Sequence, residues 1–465
     1  MDKIYELAEF LEKTSFEEIP PEAVESAKTL LLDIIATITA GSTAPTCREV
    51  EELYAKRGGA PESHILVYGD KVPAASAAFV NTLMAHSRDF DDTHEEAIIH
   101  TGVSVVSTAL AVAEQVGGVS GKQFLKAIVM AVDVFTRLAL ASELSVYESG
   151  WVFTSLFAYF ANAMSASLLH GHNAEQIVNS AGIVLSQASG IHQVVKDSAF
   201  TKRMQPAFAA KAAVEAAELT EIGVGGCKNV LEGAQGLYKV YFRRKFNPET
   251  IVADLGKKYY INELSYKPYP SCRFTHSAID DVRILVKKYG IKPEEITGID
   301  VETTDQCYMT VIDPLPVRQN PKSVVEGQFS IPFTMCSAIV NGTVDMNTFE
   351  EANRNNPEVL RLTALVHPSV NEEIDKEFQH GIGPSRVTIH TERGDFTEFV
   401  TKPKGHYENP MTKDEILEKL FGVKTASACP VKDGGFENIV SLVDKLETLD
   451  DISPLFAAID EAYAR

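Results

Sequence analysis

Residues 81–100, NTLMAHSRDFDDTHEEAIIH, gather acids, bases and a hydroxyl at the end of an otherwise apolar run. At helical spacing His86, Asp89 and Thr93 fall at i, i+3 and i+7, so they are expected to share one face, with His100 reached across the loop HEEAII. Groups of these types move protons and orient polar ligands. A polar helix end wedged between two buried helices is costly unless its groups pair or bind something. The plain alternative is an aspartate-rich helix terminus on the surface, where Asp caps and turns are common.

Two other segments carry cations. In FTKRMQPAFAAKAA, Lys202 and Arg203 precede Pro206 and an expected helix start near residue 207. In SYKPYPSCRFTHSAIDD, Lys267 lies between extended X-Pro units, and Cys272, Arg273 and His276 lead into a helix. Basic residues ahead of a helix N-terminus suit a carboxylate or phosphate, because free N–H groups and the macrodipole add to the cations. Each has a structural alternative: a solvated pair for Lys202 and Arg203, a rigid linker for KPYPSC, and a hydrogen-bonded core histidine for His86.

Other chemistries find no support. The glycines of IGVGGCKN lack the lysine-serine end of a phosphate loop, and there is no G-x-S-x-G elbow. His170-Gly-His172 and the pair Asp91-Asp92 lack further metal ligands at useful spacing, so no metal is expected. Six scattered cysteines, with no close pair, are expected as reduced thiols. A formal charge of −21 opposes nucleic acid and anionic membranes as partners.

The elements that must position these residues follow from periodicity. At 465 residues the chain exceeds one core. MDKIYELAEFLEK reads as an amphipathic helix and not a signal peptide, and no stretch is long and apolar enough to span a bilayer, which makes a cytoplasmic location the default. Pro20 and Pro21 open a helix with an apolar face at Val24, Ala27, Leu31, Ile34, Ile35 and Ile38, closed by Gly41 as a C-cap. Helical runs follow at 103–116, 122–141, 153–169, 174–188 and 207–222, many alanine-rich and apolar on most sides, as in a bundle. After SAIDDVRILVKKYG the segment ITGIDVETT alternates with period two, and RVTIHTERGDFTEFVTKP is a hairpin with Arg393-Gly394-Asp395 at its turn. Helices return at 413–420 and near 436–463. The fold class is therefore mainly α with an inserted α+β domain: residues 1–265 and 408–465 all-helical, 266–407 a smaller α+β lid.

With these segments placed, the sequence resembles the MmgE/PrpD family over nearly its whole length. AAFVNTLMAHSRDFDDTH resembles its signature helix, LLLDIIATITAGS its early buried helix, and FTKRMQPAFAAKAA its lysine-containing segment. KPYPSCRFTHSAID is similar to the lid-entry motif, EGQFSIPFTMCSAIVNG to the buried segment of the smaller domain, and GHYENPMTKDEILEKL to the return into the helical domain. The resemblance implies a homodimer without an organic cofactor that handles small di- or tricarboxylic acids. It further implies that Asp89, Thr93, His100, Lys202 and Lys267 are active-site residues, with Arg203, Gln205, Arg273, His276 and Val152 around the substrate. Two positions depart from the family pattern: Val152 and Gln205 stand where members often carry histidine.

The implied chemistry is proton abstraction next to a carboxylate. Asp89 or His100 would act as base, Thr93 would orient a carboxylate, and Lys202 and Lys267 would stabilise the negative charge. Loss of a hydroxyl gives a dehydratase like that for 2-methylcitrate, the first expectation. Loss of carbon dioxide gives a decarboxylase like that for cis-aconitate, and reprotonation on the opposite face an epimerase like that for iminodisuccinate. The rival is a non-catalytic homologue that binds a polycarboxylate without turnover.

Overall fold

The computed structural model describes residues 1–197, 199–378 and 381–465. The chain divides into two units, one formed by Met1–Ser87, Ile99–Leu264 and Thr412–Arg465, the other by Arg88–Ile98 and Ser265–Met411. The first is helical and the second α+β, which is the expected class. Residues 88–98, counted with the helical part in the sequence reading, group with the second unit.

The principal helices of the first unit are α1 (Ile4–Lys13), α2 (Pro21–Gly41), α3 (Cys47–Arg57), α4 (Ala74–His86), α5 (Gly102–Val116), α6 (Gly121–Leu140), α7 (Ala158–Leu169), α8 (Ala174–Val184) and α9 (Thr201–Glu221). In α1 the buried residues are Ile4, Leu7, Ala8 and Leu11, the face expected from the spacing. Every residue of α4 except Ser76 is buried, so its alanines let neighbouring backbones approach. Gly41 shows the tightest approach. It is the last residue of α2 and not its cap, and a Cβ there would meet the Met84 carbonyl oxygen at 1.8 Å. The expected run 153–169 is broken into a short turn at Phe153–Leu156 and α7.

The second unit contributes α10 (His276–Tyr289), α11 (Ile331–Asn341) and four strands, β1 (Ile296–Thr303), β2 (Val366–Val370), β3 (Ser385–Thr391) and β4 (Gly394–Phe399). Their order is β2-β1-β3-β4, with β1 and β2 parallel and the other pairs antiparallel. Strand β2, which period-two patterning did not mark, contains Pro368 and lies at an edge, where a missing N–H is tolerated. Thr391 pairs with Gly394, so the hairpin turns on Glu392 and Arg393, one residue earlier than expected, and Gly394, at φ +124°, opens the second strand.

The chain rejoins the first unit in α12 (Lys413–Gly422), α13 (Gly435–Asp444) and α14 (Ser453–Glu461). Lys419 of α12 anchors that return: its ammonium lies 2.7 Å from the Asp33 carboxylate of α2, both side chains nearly inaccessible. All six cysteines are free thiols, as expected. Among the described residues no helix is long and apolar enough to cross a membrane.

One buried acid of this unit makes its stability depend on pH. Burial, then the charge and hydrogen bond of Asp70, push the Glu51 carboxyl of α3 up to about 7 from 4.5. A raised carboxyl stabilises the fold fully below its unfolded value and loses that contribution as pH rises through the folded one, here from about 4.5 to about 7. Thermal melts a unit either side of that upper value should therefore show a lower melting temperature on the alkaline side. Glu51→Gln should flatten the slope, and an unchanged slope would place its origin elsewhere.

Candidate functional site

The expected shared helix face for His86, Asp89 and Thr93 does not form. Helix α4 ends at His86, Ser87 is its cap, and Asp89 sits at φ +51°. Aspartate is among the residues that tolerate this left-handed conformation, and DFDDTH offers little helix propensity to resist it. Ile98 closes the excursion at φ +53°, a rare conformation for a β-branched side chain that costs of order 1–3 kcal/mol. Between these two points Asp89, Asp91, Asp92, Thr93, His94 and Glu95 are all buried. Six polar side chains in seven residues are thus taken out of water, and each requires compensation.

Within the second unit that compensation comes from the segment entering α10. Thr93 and Ser265 exchange both backbone hydrogen bonds at 2.8 Å, which fixes Lys267 two residues on. The Lys267 side chain is fully buried, and its ammonium donates to the Asp89 carboxylate and, at 3.1 Å, to the Asp89 carbonyl. Burial pushes this lysine down, but the Asp89 charge, then Asp91, then the hydrogen bond to Asp89 carry it above its ordinary value, so it stays an ammonium. Thr93 Oγ1 and Ser265 Oγ are buried without a hydrogen-bond partner among the described residues. Gln328 braces both segments, its amide donating to the Arg88 carbonyl at 2.7 Å and the Pro270 carbonyl at 3.0 Å.

Arg273 and His276, expected around the substrate, are held by contacts within this unit. The Arg273 guanidinium donates to Glu95 at 2.8 Å, to the Lys404 carbonyl at 3.0 Å, to the Pro403 carbonyl at 3.4 Å and to His276 Nδ1 at 3.1 Å. A guanidinium has no acceptor, so Nδ1 of His276 must accept, and Nε2 carries the proton toward the Ser271 carbonyl at 3.3 Å. Burial, then Arg273 and Lys267, hold this imidazole well below its ordinary value, so it is neutral with both nitrogens engaged.

A second cluster lies in the helical unit. Helix α9 begins at Thr201, earlier than expected, so Lys202, Arg203 and Gln205 lie in its opening turns and Pro206 inside it. A proline that early leaves a single ladder bond unmade, the one to the Lys202 carbonyl, and the helix persists. Lys202 Nζ stands 3.0 Å from His86 Nε2. An ammonium only donates, so that imidazole nitrogen accepts. The His100 ring lies edge-on to His86 at 4.9 Å, and its backbone N–H donates to Thr154 Oγ1 at 3.1 Å. Arg203 is buried with its guanidinium 5.9 Å from the Phe200 ring centre, and Gln205 donates to the Ile191 carbonyl at 3.1 Å. Val152 donates its backbone N–H to the Gly190 carbonyl at 2.7 Å.

Two histidines here were not among the expected active-site residues, although His86 was singled out as a polar group of its helix end. His86 is the direct partner of Lys202, and their separation of 116 positions hides the pairing in sequence. His192 follows Ile191, which pairs with Trp151, so the short ladder that holds Val152 also carries an imidazole. Burial, then Lys196 and Lys202, push His192 down to about 4, leaving it neutral near pH 7.

The buried pair at Lys267 yields a direct test. Asp89→Ala strands an ammonium without its countercharge, and urea denaturation should register a loss of about 3–5 kcal/mol. Asp89→Ala combined with Lys267→Met should recover most of it, because no unpaired charge remains. Equal stability of the single variant and the parent would rule out this coupling.

Comparison with known proteins adds a whole-chain likeness. The model of the MmgE/PrpD N-terminal domain matches residues 5–249, and that of the MmgE/PrpD C-terminal domain residues 269–432. A cis-aconitate decarboxylase of Aspergillus terreus is 25% identical over 476 residues, covering 98% of this chain and 95% of that protein. A cis-aconitate decarboxylase-like protein, oryM, of Aspergillus oryzae is 27% identical, covering 98% and 96%. The cis-aconitate decarboxylase of Mus musculus is 26% identical, covering 83% of this chain and 78% of its own.

Proposed function

The chain belongs to the MmgE/PrpD family, and on that premise we propose that it is a cofactor-independent lyase acting on a small di- or tricarboxylic acid. The observation that carries this reading is the fully buried Lys267 ammonium, kept charged by Asp89, on a segment whose backbone pairs with Thr93, a residue with a buried hydroxyl that has no hydrogen-bond partner among the described residues. A buried cation of this kind attracts a carboxylate, and a buried hydroxyl orients one. Lys202, held by His86, supplies a second positive charge.

In this reading Asp89 holds Lys267 in its charged form and is not itself the proton carrier. That role falls to His100, half-buried and edge-on to the His86 ring. Lys202 and Lys267 bind substrate carboxylates and stabilise the negative charge that develops next to one of them. In a decarboxylation the bond from carbon to a carboxylate breaks, carbon dioxide leaves, and the electron pair left on carbon takes a proton from His100. In a dehydration His100 takes the proton from carbon, the electron pair left there forms the double bond, and the hydroxyl departs as water on a proton delivered by a lysine ammonium. The named relatives support decarboxylation ahead of dehydration. Arg203, Gln205 and Val152 complete the substrate surroundings, with Arg273 and His276 as positioning residues. The proposed assembly is a homodimer, supported by Phe208, Leu219 and Ile222, large apolar side chains left exposed along and just past α9.

The test is a panel of cis-aconitate, citrate, 2-methylcitrate, malate-like and aspartate-derived acids in deuterated water, followed by proton NMR and carbon dioxide release. Turnover of one acid with deuterium incorporation is expected. Resonances that only shift or broaden across the panel would mean a binding protein without catalysis. On the true substrate, His100→Gln should lower kcat by roughly 10²–10⁴-fold with KM little changed, the loss typical of a missing proton carrier. Lys202→Met should raise KM as well as lower kcat, and activity of Lys267→Ala within a few-fold of the parent would refute the assignment.

A further inference from the structure

Away from these clusters, the helical unit gathers a second set of imidazoles. His170 caps α7 at its C-terminus, and Gly171, at φ +74°, lets the chain reverse. Gly171 N–H bonds the Leu168 carbonyl and His172 N–H the Ser167 carbonyl, each at 3.0 Å, which closes the helix end as a Schellman turn. The two rings stack with centres 5.4 Å apart. Glu221, the last residue of α9, brings a carboxylate oxygen to 2.6 Å from His172 Nε2. From sequence His170-Gly-His172 lacked a further ligand. The fold supplies it from 49 residues on.

We infer that His170, His172 and Glu221 form a binding site for a divalent transition-metal cation of the zinc type. One ring nitrogen from each histidine and a Glu221 oxygen lie within 4.8 Å of one another. Ligands at about 2.0–2.1 Å in a tetrahedral shell stand roughly 3.3 Å apart, so closure on an ion takes a shift of about an ångström. Glu221 can make that shift, its side chain being 56% exposed, while the His172 side chain is 2% exposed. His170 Nε2 and His172 Nδ1 are both buried without a hydrogen-bond partner among the described residues, so each ring keeps a nitrogen uncommitted to the protein. Two imidazoles and one carboxylate suit zinc, cobalt or nickel over calcium or magnesium, which prefer all-oxygen shells.

The surroundings favour a cation as well. Helices α7 and α9 both present their C-terminal ends here, and the negative ends of two macrodipoles attract positive charge. Helix α8, which starts next, has its N-terminus closed by its own capping box of Asn173 and Gln176. A buried chain of hydroxyls, Ser167 to Ser180 at 2.7 Å and Ser180 to Thr220 at 2.9 Å, fixes the ends of α7 and α9 through α8. The ligands therefore stand on a rigid base, as a preorganised site requires. Glu221 is nineteen residues along α9 from Lys202, about 28 Å at 1.5 Å per residue, so this site is separate from the Lys202 cluster.

The experiment uses the full chain, stripped with chelator and titrated with cobalt(II) by absorption and with zinc(II) by calorimetry. One ion per chain, a visible d–d band of low-symmetry cobalt and a raised melting temperature are expected. Glu221→Gln, a surface change that leaves the fold intact, should weaken binding by at least about tenfold, a loss seen even for outer-shell partners of metal sites. His170→Ala should abolish the band. Binding that does not saturate, or saturable binding that both variants retain, would overturn the proposal.

Discussion

Buried charge is the constraint on which the second unit is built. Residues 89–95 place six polar side chains out of water within seven positions, and a carboxylate or ammonium left alone there would cost several kcal/mol. Lys267 answers Asp89, Arg273 answers Glu95, and Gln328 ties the two segments through their carbonyls. The α+β sheet then serves as a platform for α10, whose entry carries Lys267 and Arg273 into place. Remove the pairing and the reason for this path of the chain disappears.

The helical unit works under a different constraint, close approach. Alanine-rich α4 and α7 are buried almost all round, and Gly41 admits the Met84 carbonyl where a side chain would collide. Such packing leaves polar residues few places to go. His86 and Lys202 solve the problem together at the ends of two helices, one as acceptor and one as donor. Val152 is held by its backbone bond to Gly190 and Gln205 by its amide bond to Ile191, and His192 enters the same short ladder from the opposite segment.

Much of the fold was legible because it is local. The apolar stripe of α1, the proline opening of α2, the alternation of β1 and the helical return at α12 follow from local pattern alone. The site was legible mainly as residue types. Asp89, Lys267 and Lys202 stood out as charges in apolar company, but helical spacing wrongly aligned His86 with Asp89 and Thr93, since propensity at the end of α4 competes with a strained turn that tertiary pairing imposes. The commitment of Arg273 to four acceptors could not be read, because Glu95 is 178 positions away and two acceptors are backbone carbonyls. Glu221 was invisible as a partner of His172 for the same reason.

Segment 88–98 belongs to a unit whose remaining residues begin at Ser265. Asp89 and Lys267 are 178 positions apart, and at translation speeds of about 5–20 residues per second the ribosome needs roughly 9–36 s to deliver the lysine after the aspartate. Throughout that interval the acidic strip lacks its countercharge, and unpaired carboxylates favour water. Burial of this strip therefore waits on the second half of the message, since an unpaired carboxylate is costly to take out of water.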